Sequence, residues 1–333
     1  MSVATRYRIA AIVPCHNEEV AVATVVRDLI EAIPGMTVYV YDNGSTDETA
    51  DRAADAGAVV CREPMLGKGN AVRRAFADID ADIYLLIDGD DTYDAAAAPE
   101  MVAKLVADNL DQVVGVRRGS AYRQGHERGN RALNRIVGGI FGDTMGDMLS
   151  GYRVFSRRFV KSFPAVSREF EIETELTVHS LALRIPSETH DIAFSDRAEG
   201  SESKLRTYRD GWKILNVILN LTRHERPIYF YGLISVLFWF VAAALAAPVI
   251  ADYVRTGMVP RLPSLVVASF LVLIGCLCFT VGLIMDGTRK ARHEVSRLSY
   301  VRHPSVRSTY VRDPEYHDQP PVAVPLVPAP RAG

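Results

Sequence analysis

The chain has 333 residues and a formal net charge of −2, enough length for one large or two ordinary domains but no basic field of the kind nucleic acid requires. Its four cysteines, Cys15, Cys61, Cys276 and Cys278, show no zinc-ligand spacing, and a chain this long does not depend on disulfides. They read as small apolar fillers in a reducing compartment. No signal peptide is expected, because the apolar run Ile9 to Pro14 is short and leads directly into charged residues.

Short β-branched runs alternate with helical patterns through the first half. Ile9 to Val13 reads as a buried strand, after which Asn17 caps a helix running to about Ala32. Thr37 to Tyr41 is a second strand. Ser45-Thr-Asp-Glu48 has the form of a capping box, opening a helix that ends near Gly57. Ala58 to Cys61 is a third strand, and a helix follows Gly69 through Phe76. Asp82 to Ile87 and Asp111 to Val116 are the fourth and fifth strands. This alternation predicts an α/β domain with a doubly wound, mostly parallel sheet, whose ligands sit beyond the carboxyl ends of the strands. Pro14, Asp42 and Asp88 all fall at such ends.

The pattern changes after Ser203. Leu205, Tyr208, Trp212, Leu215 and Leu219 recur at helical spacing with Arg206, Arg209 and Lys213 between them. That pattern suits a core-packed helix or, just ahead of a membrane span, an interfacial one, and the second reading is preferred. Residues 228–251 and 262–285 carry no charge and are long enough to cross a bilayer. Arg223 and Arg226 precede them, and Arg289, Lys290 and Arg292 follow. The positive-inside bias then puts the α/β domain and both ends of the hairpin in the cytoplasm, at an inner (cell) membrane. The expected organisation is a catalytic domain over 1–203, an interfacial helix over 204–226, a transmembrane hairpin over 227–287, and a basic then proline-rich, disordered tail over 288–333.

Asp88-Gly-Asp90-Asp91 directly follows an apolar strand. Carboxylates gathered at a strand end repel one another unless a cation lies between them, and a hard divalent ion carrying a diphosphate is the natural partner. The plainer reading is an acidic turn in water. Three polar strand exits on neighbouring strands favour a cleft, with Glu18 and Asp42 as ligand contacts and Asn17 and Ser45 as caps. Gly67-Lys-Gly69 is not a P-loop, and Lys68 either meets the nucleotide or is solvated.

In these segments the chain resembles the family 2 glycosyltransferases of the dolichol- and undecaprenyl-phosphate sugar synthase type, from about Ile9 to Arg209. The resemblance is carried by Pro14-Cys-His-Asn-Glu-Glu19, Asp42-Asn-Gly-Ser-Thr-Asp47, Gly67-Lys-Gly69, Asp88-Gly-Asp90, Asp147-Met-Leu-Ser-Gly-Tyr-Arg153 and Arg197-Ala-Glu-Gly-Ser-Glu-Ser-Lys204. It implies a GT-A fold, inversion at the anomeric carbon, and a magnesium or manganese ion (Mg2+ or Mn2+) at Asp88 and Asp90. It also implies a nucleoside pocket lined by Pro14, His16, Glu18, Asp42 and Asn43. Two departures stand out: Asn43 replaces a second aspartate, and Thr92 stands where the family often has Gln, leaving Asp91 to complete the metal shell.

Arg128, Arg131 and Arg135 share one helical face, and the resemblance assigns acceptor phosphate to Arg117, the region of Arg131, and Arg197; Arg135 and Lys204 join that basic group. Arginines suit a lipid-borne phosphate, which they grip in bidentate fashion. Asp147 falls where this fold often has a base, although orienting an arginine or a sugar hydroxyl is preferred here. The expected partners are a nucleotide sugar, a polyprenyl phosphate and the membrane, with homo-oligomerisation allowed and nucleic acid excluded. Competing readings are transfer to another membrane glycan or lipid, and a non-catalytic membrane scaffold that binds nucleotide sugars. The sugar, and whether its carrier is UDP or GDP, are not legible.

Overall fold

The computed structural model describes residues 7–118, 147–164, 172–193, 219 and 222–308. The chain divides into two compact units, Met1–Thr207 with Ser296–Gly333, and Tyr208–Val295. The first unit is built on a seven-stranded sheet of β1 (Ile9–Cys15), β2 (Thr37–Asp42), β3 (Val59–Arg62), β4 (Ile83–Leu86), β5 (Gln112–Arg118), β6 (Arg153–Ser156) and β7 (Ser187–Ala193). Their spatial order is β3-β2-β1-β4-β6-β5-β7. The five strands expected from sequence are all present. The sheet is mixed, because β6 runs antiparallel to both β4 and β5. β5 delivers the chain to the edge holding the strand exits, and β6 starts from that edge after the Asp147 loop.

Helices cover both faces: α1 (Val22–Ala32), α2 (Thr49–Asp55), α3 (Lys68–Asp78), α4 (Ala98–Ala107), α5 (Arg157–Ser162) and α6 (Ile172–Leu183). A strand covered on both faces reads as a continuous apolar run, which is how β1 reads. Ile9, Ala11, Val13 and Cys15 enter one core with α1 and α4, while Ala10 and Ile12 enter the other with α3, α5 and α6. In α1 the buried residues are Val22, Val25, Val26 and Leu29, one stripe at helical spacing. The register sets Cys15 beside Asp42 and Ile12 beside Leu86, so the exits of β2, β1 and β4 lie side by side.

Asn17 and Ser45 are not the helix caps expected of them. Helix α1 starts at Val22 and α2 at Thr49, and neither has a side-chain cap. Asn17 adopts φ 56°, a left-handed conformation that asparagine tolerates, which turns the chain away before the helix begins. Its N–H donates to Ser45 Oγ at 3.0 Å and its Oδ1 accepts from the Thr46 N–H at 2.8 Å. The two residues therefore clasp the exits of β1 and β2 to each other.

The second unit holds α7 (Pro227–Thr256) and the greater part of α8 (Leu262–Arg302). Both are long and apolar enough to cross a membrane. Pro227 starts α7, and Gly257, at φ 70°, stops it, so the helix runs past the uncharged stretch ending at residue 251 and includes Asp252 and Arg255. Ser235, Ala242 and Val249 on α7 and Ala268, Gly275 and Gly282 on α8 are buried at seven-residue intervals. Small residues let the backbones approach: a Cβ at Gly275 would lie 2.5 Å from Trp239 Nε1, and Ser235 Oγ donates to the Gly275 carbonyl at 2.7 Å. Large apolar side chains such as Tyr229, Leu233, Phe240, Phe270 and Leu283 point outward, a belt that water would not support. Of the interfacial helix expected before α7, only the turn at 222–225 and Leu219 fall within the described residues.

Helix α8 does not stop where its uncharged stretch ends. It continues to Arg302, and its last turns belong to the first unit. There Tyr300 Oη donates to Asp111 Oδ2 at 2.6 Å, Ser299 Oγ donates to the Lys161 carbonyl at 2.8 Å, and Val306 enters the core. Asp111 has no exposed surface and also accepts from Ser156 Oγ and the Arg158 guanidinium, which lies over the Tyr300 ring. Burial, followed by the Asp111 carboxylate, raises the Tyr300 pKa, so the phenol remains a donor across the physiological range. Tyr300→Phe removes one hydrogen bond to a buried charge and should cost about 1–3 kcal/mol in urea unfolding of the detergent-solubilised protein. Unchanged stability would remove this anchor from the account.

Candidate active site

The exits of β1 and β2 are organised by one amide. Asn43 is buried, and its Nδ2 donates to the carbonyls of Glu63 at 3.0 Å and Met65 at 2.7 Å. Its Oδ1 accepts from the Gly67 N–H at 2.6 Å. Only an amide can donate twice and accept at once, so the departure from aspartate has a physical reason: the side chain shapes the loop from β3 into α3. Asp42 is buried beside it and accepts from the Ser45 N–H at 3.1 Å, while His16 Nδ1 lies 2.9 Å from the Asn43 carbonyl. Pro14 is paired with Tyr41 in the register, and the Glu18 N–H donates to Thr49 Oγ1 at 2.8 Å. The five residues expected at the nucleoside pocket thus share one edge, with Asn43 committed to building it.

The acidic motif leaves β4 between two glycines. A Cβ at Gly89 would meet Cys15 Sγ, and one at Gly151 would lie 2.5 Å from Asp88 Oδ2, so neither position admits a side chain. Lys68, the first residue of α3, reaches both Asp88 and Glu173, and Glu173 lies in the first turn of α6. Lys68 and Glu173 are nearly enclosed, at 10% and 6% side-chain exposure, whereas Asp88 is 28% exposed and faces outward. Burial disfavours the Lys68 charge, but Asp88 and Glu173 more than offset this and raise its pKa above that of an ordinary lysine. Asp90 is buried, and its Oδ1 accepts from Thr92 Oγ1 at 2.6 Å. Thr92 thereby orients Asp90.

Asp91 follows Asp90 at the same strand exit. It adopts φ 56°, and burial, then the charges of Asp28 and Asp90, raise its pKa. Among the described residues no three His, Cys, Asp or Glu side chains converge as a metal cage. Asp88 and Asp90 are two hard carboxylates at one strand exit. That donor set suits magnesium or manganese, which binds through one or two carboxylates and takes its other ligands from phosphate and water.

A second charged group stands beside the first. Arg117, near the end of β5, grips Asp147 through both carboxylate oxygens, Nε to Oδ2 at 2.5 Å and a terminal nitrogen to Oδ1 at 2.9 Å. Arg153 lies beneath with no exposed surface. It donates to the Ser150 carbonyl at 2.9 Å, the Met148 carbonyl at 2.6 Å and Thr177 Oγ1 at 3.0 Å, fastening the loop that carries Asp147 and Gly151. Burial lowers its pKa to about 10 against the opposing charges of Glu173 and Asp147, leaving it cationic at neutral pH. Tyr93 holds the same loop by accepting from the Gly151 N–H at 3.0 Å. Its pKa is pushed up to about 12 by burial, with the charges of Asp88 and then Arg117 as smaller, opposing influences.

Arg128, Arg131, Arg135, Arg197 and Lys204 lie outside the described residues. Glu173 and Tyr93 are site residues that the sequence reading did not single out, and Arg153 and Thr92 entered it only as motif positions without a role. The available signal for Glu173 was the alternation of Glu169, Glu171, Glu173 and Glu175 at the opening of an otherwise apolar helix.

Two substitutions test this geometry. Asn43→Asp leaves the Glu63 and Met65 carbonyls without their donor and should cost about 1–3 kcal/mol in chemical denaturation. Asp91→Gly relieves the left-handed backbone and should be at least as stable as the parent with unchanged Mn2+ affinity, whereas Asp91→Val should lose about 1–2 kcal/mol. Weaker Mn2+ binding in Asp91→Gly would restore Asp91 to the ligand set.

Comparison with known proteins agrees with this arrangement. The model of the family described as Glycosyl transferase family 2 matches residues 10–163. Glycosyltransferase AglJ of Haloferax volcanii is 34% identical over 284 residues, covering 84% of this chain and 91% of the relative. The low-salt glycan biosynthesis hexosyltransferase Agl6 of the same organism is 28% identical over 63% of this chain and 53% of its own. Among solved structures, glucosyl-3-phosphoglycerate synthase from Mycobacterium tuberculosis, in complex with Mn2+, UDP-glucose and phosphoglyceric acid, superposes with a TM-score of 0.55 at 23% identity. It covers 65% of this chain and 79% of that one, and its likeness bears on the fold, a GT-A-like mixed sheet. Sequence family, sheet order and acidic strand exit agree, and the chain belongs to glycosyl transferase family 2.

Proposed function

We propose that this glycosyltransferase moves a hexose from a UDP- or GDP-linked donor, with inversion, onto a polyprenyl phosphate at the cytoplasmic face of the inner membrane. The observation that carries the reading is the Arg117–Asp147 pair, held by the same loop that brings Gly151 against Asp88. A fixed guanidinium beside an acidic donor site suits an acceptor whose reactive group is itself an anion. The two helices long and apolar enough to cross a membrane support a lipid as the bearer of that anion. Basic residues outside both helix ends support a cytoplasmic site.

Asp88 and Asp90 would hold Mg2+ or Mn2+, which when bound neutralises charge on the diphosphate leaving group. The protein's own contribution is orientation. Pro14, His16, Glu18, Asp42 and Asn43 form the edge against which the nucleoside lies, and Lys68 carries positive charge toward the diphosphate. Arg117 sets a phosphate oxygen in line with the anomeric carbon, with Arg131, Arg135, Arg197 and Lys204 as further acceptor contacts. A phosphate monoester has its second pKa at about 6, so the nucleophile is ionised at neutral pH and needs no strong base. Both Asp147 oxygens already accept from Arg117, which favours orientation over proton abstraction.

Incubating the detergent-solubilised protein with undecaprenyl phosphate, Mg2+ or Mn2+ and a panel of nucleotide sugars should yield a lipid-linked sugar. No such product across the panel would overturn the reading. Arg117→Lys should raise the KM for lipid phosphate about tenfold, equivalent to about 1.4 kcal/mol, with a smaller change in kcat. Asp147→Asn should keep measurable turnover at every pH, while Asp90→Asn should lose it. Equal losses in the two would instead support Asp147 as the base.

A further inference from the structure

Lys68 occupies a place that a nucleotide-binding lysine does not require. Its ammonium lies between two carboxylates, bonded to Asp88 on the outer side and to Glu173 on the inner side. Asp88 is the exposed one of the three and belongs to the acidic motif; Glu173 is enclosed in the first turn of α6 and belongs to no strand exit. Gly151 packs closely against the Asp88 carboxylate, where a Cβ would lie 2.5 Å from Oδ2.

We propose that Lys68 is a resident counter-ion for Asp88, and that Glu173 is a positioning residue that keeps Lys68 in place when Asp88 is given up to a divalent cation. The inference rests on Asp88 being a cation ligand. With no divalent ion present, two carboxylates this close need positive charge, and Lys68 provides it from within the fold. When Asp88 turns to the cation, an enclosed ammonium without a partner would be costly, and Glu173 removes that cost by retaining it. Lys68 is then left facing the donor's diphosphate with its charge intact. The exchange makes cation and donor binding mutually supportive, because an anionic diphosphate takes up the bond that Lys68 loses. Neither Asp88 nor Lys68 does this alone: without Glu173 the lysine has no second anchor, and the cation must compete for its only carboxylate.

The test separates direct competition from the general electric field by conserving charge. Binding of Mn2+ alone, without nucleotide, is followed through the loss of free-ion electron paramagnetic resonance signal on the full-length protein in detergent. Lys68→Met with Glu173→Gln removes one positive and one negative charge together, so a distant field effect leaves the Mn2+ affinity unchanged. Direct competition predicts about tenfold tighter binding, because Asp88 is released. Glu173→Gln alone predicts about threefold weaker binding, because Lys68 then has Asp88 as its only carboxylate. Unchanged or weaker binding in the double variant overturns the proposal. Should circular dichroism show the double variant unfolded, the charge-conserving Glu173→Asp decides, since its shorter side chain gives up Lys68 without altering the net charge: weaker binding supports the proposal, and equal or tighter binding overturns it. Asp88→Asn distinguishes the two levels of failure. Mn2+ binding unaffected by that substitution removes Asp88 from the ligand set and overturns both readings, whereas weakened binding there with an unresponsive double variant overturns the counter-ion alone.

Discussion

Carboxylates collected at the carboxyl edge of a sheet must be compensated, and the rest of the catalytic unit follows from how this chain does so. Asp42, Asp88 and Asp90 are brought to one edge by the parallel register of β1, β2 and β4, which cannot be relaxed without disrupting two cores. The mutual repulsion of such groups is removed from within by Lys68, by the Ser45 amide and by the Thr92 hydroxyl. One carboxylate, Asp88, stays more exposed than its lysine partner.

A second layer of charge supports the first. Arg153 is fully enclosed, yet its hydrogen bonds go to two carbonyls and a hydroxyl, with carboxylates acting on it only through space. A buried guanidinium is costly unless its donors are satisfied, and here satisfying them fixes the loop that brings Asp147 to Arg117 and Gly151 to Asp88. One loop thus links the acidic strand exit to the basic pair, and Tyr93 pins the same loop from the other side. In the function proposed above, that single connection would hold donor and acceptor in one geometry, where orientation contributes more than proton chemistry.

Much of this was legible in the sequence, and the exceptions have physical causes. Strands buried on both faces announce themselves as apolar runs, so β1, β2, β4 and β5 fell within a residue or two of their expected ends, and the acidic exits with them. The reversed β6 was not legible, because a four-residue strand carries no direction in its composition. Asn17 and Ser45 have the composition of caps, but the Ser45 hydroxyl accepts from the Asn17 N–H and the Asn17 side chain from the Thr46 N–H, across 28 and 29 residues, which local pattern cannot register. Glu173 and Lys68 are 105 residues apart, and nothing in either neighbourhood marks them as partners. Asn43 looked like a weakened ligand until its three bonds to the 63–67 loop made the amide a requirement. The hairpin was legible from charge depletion, whereas the run of α8 to Arg302 was not, since basic and polar residues beyond an apolar stretch are equally consistent with a loop.

The central claim is that Asp88 and Asp90 hold a cation against the donor's diphosphate. Phosphorus-31 electron–nuclear double resonance on Mn2+ bound to the full-length protein with UDP measures that contact directly. The account predicts phosphorus hyperfine couplings of inner-sphere size in the parent, lost in Asp90→Asn. Bound Mn2+ showing no phosphorus coupling, or couplings that survive Asp90→Asn unchanged, would contradict it.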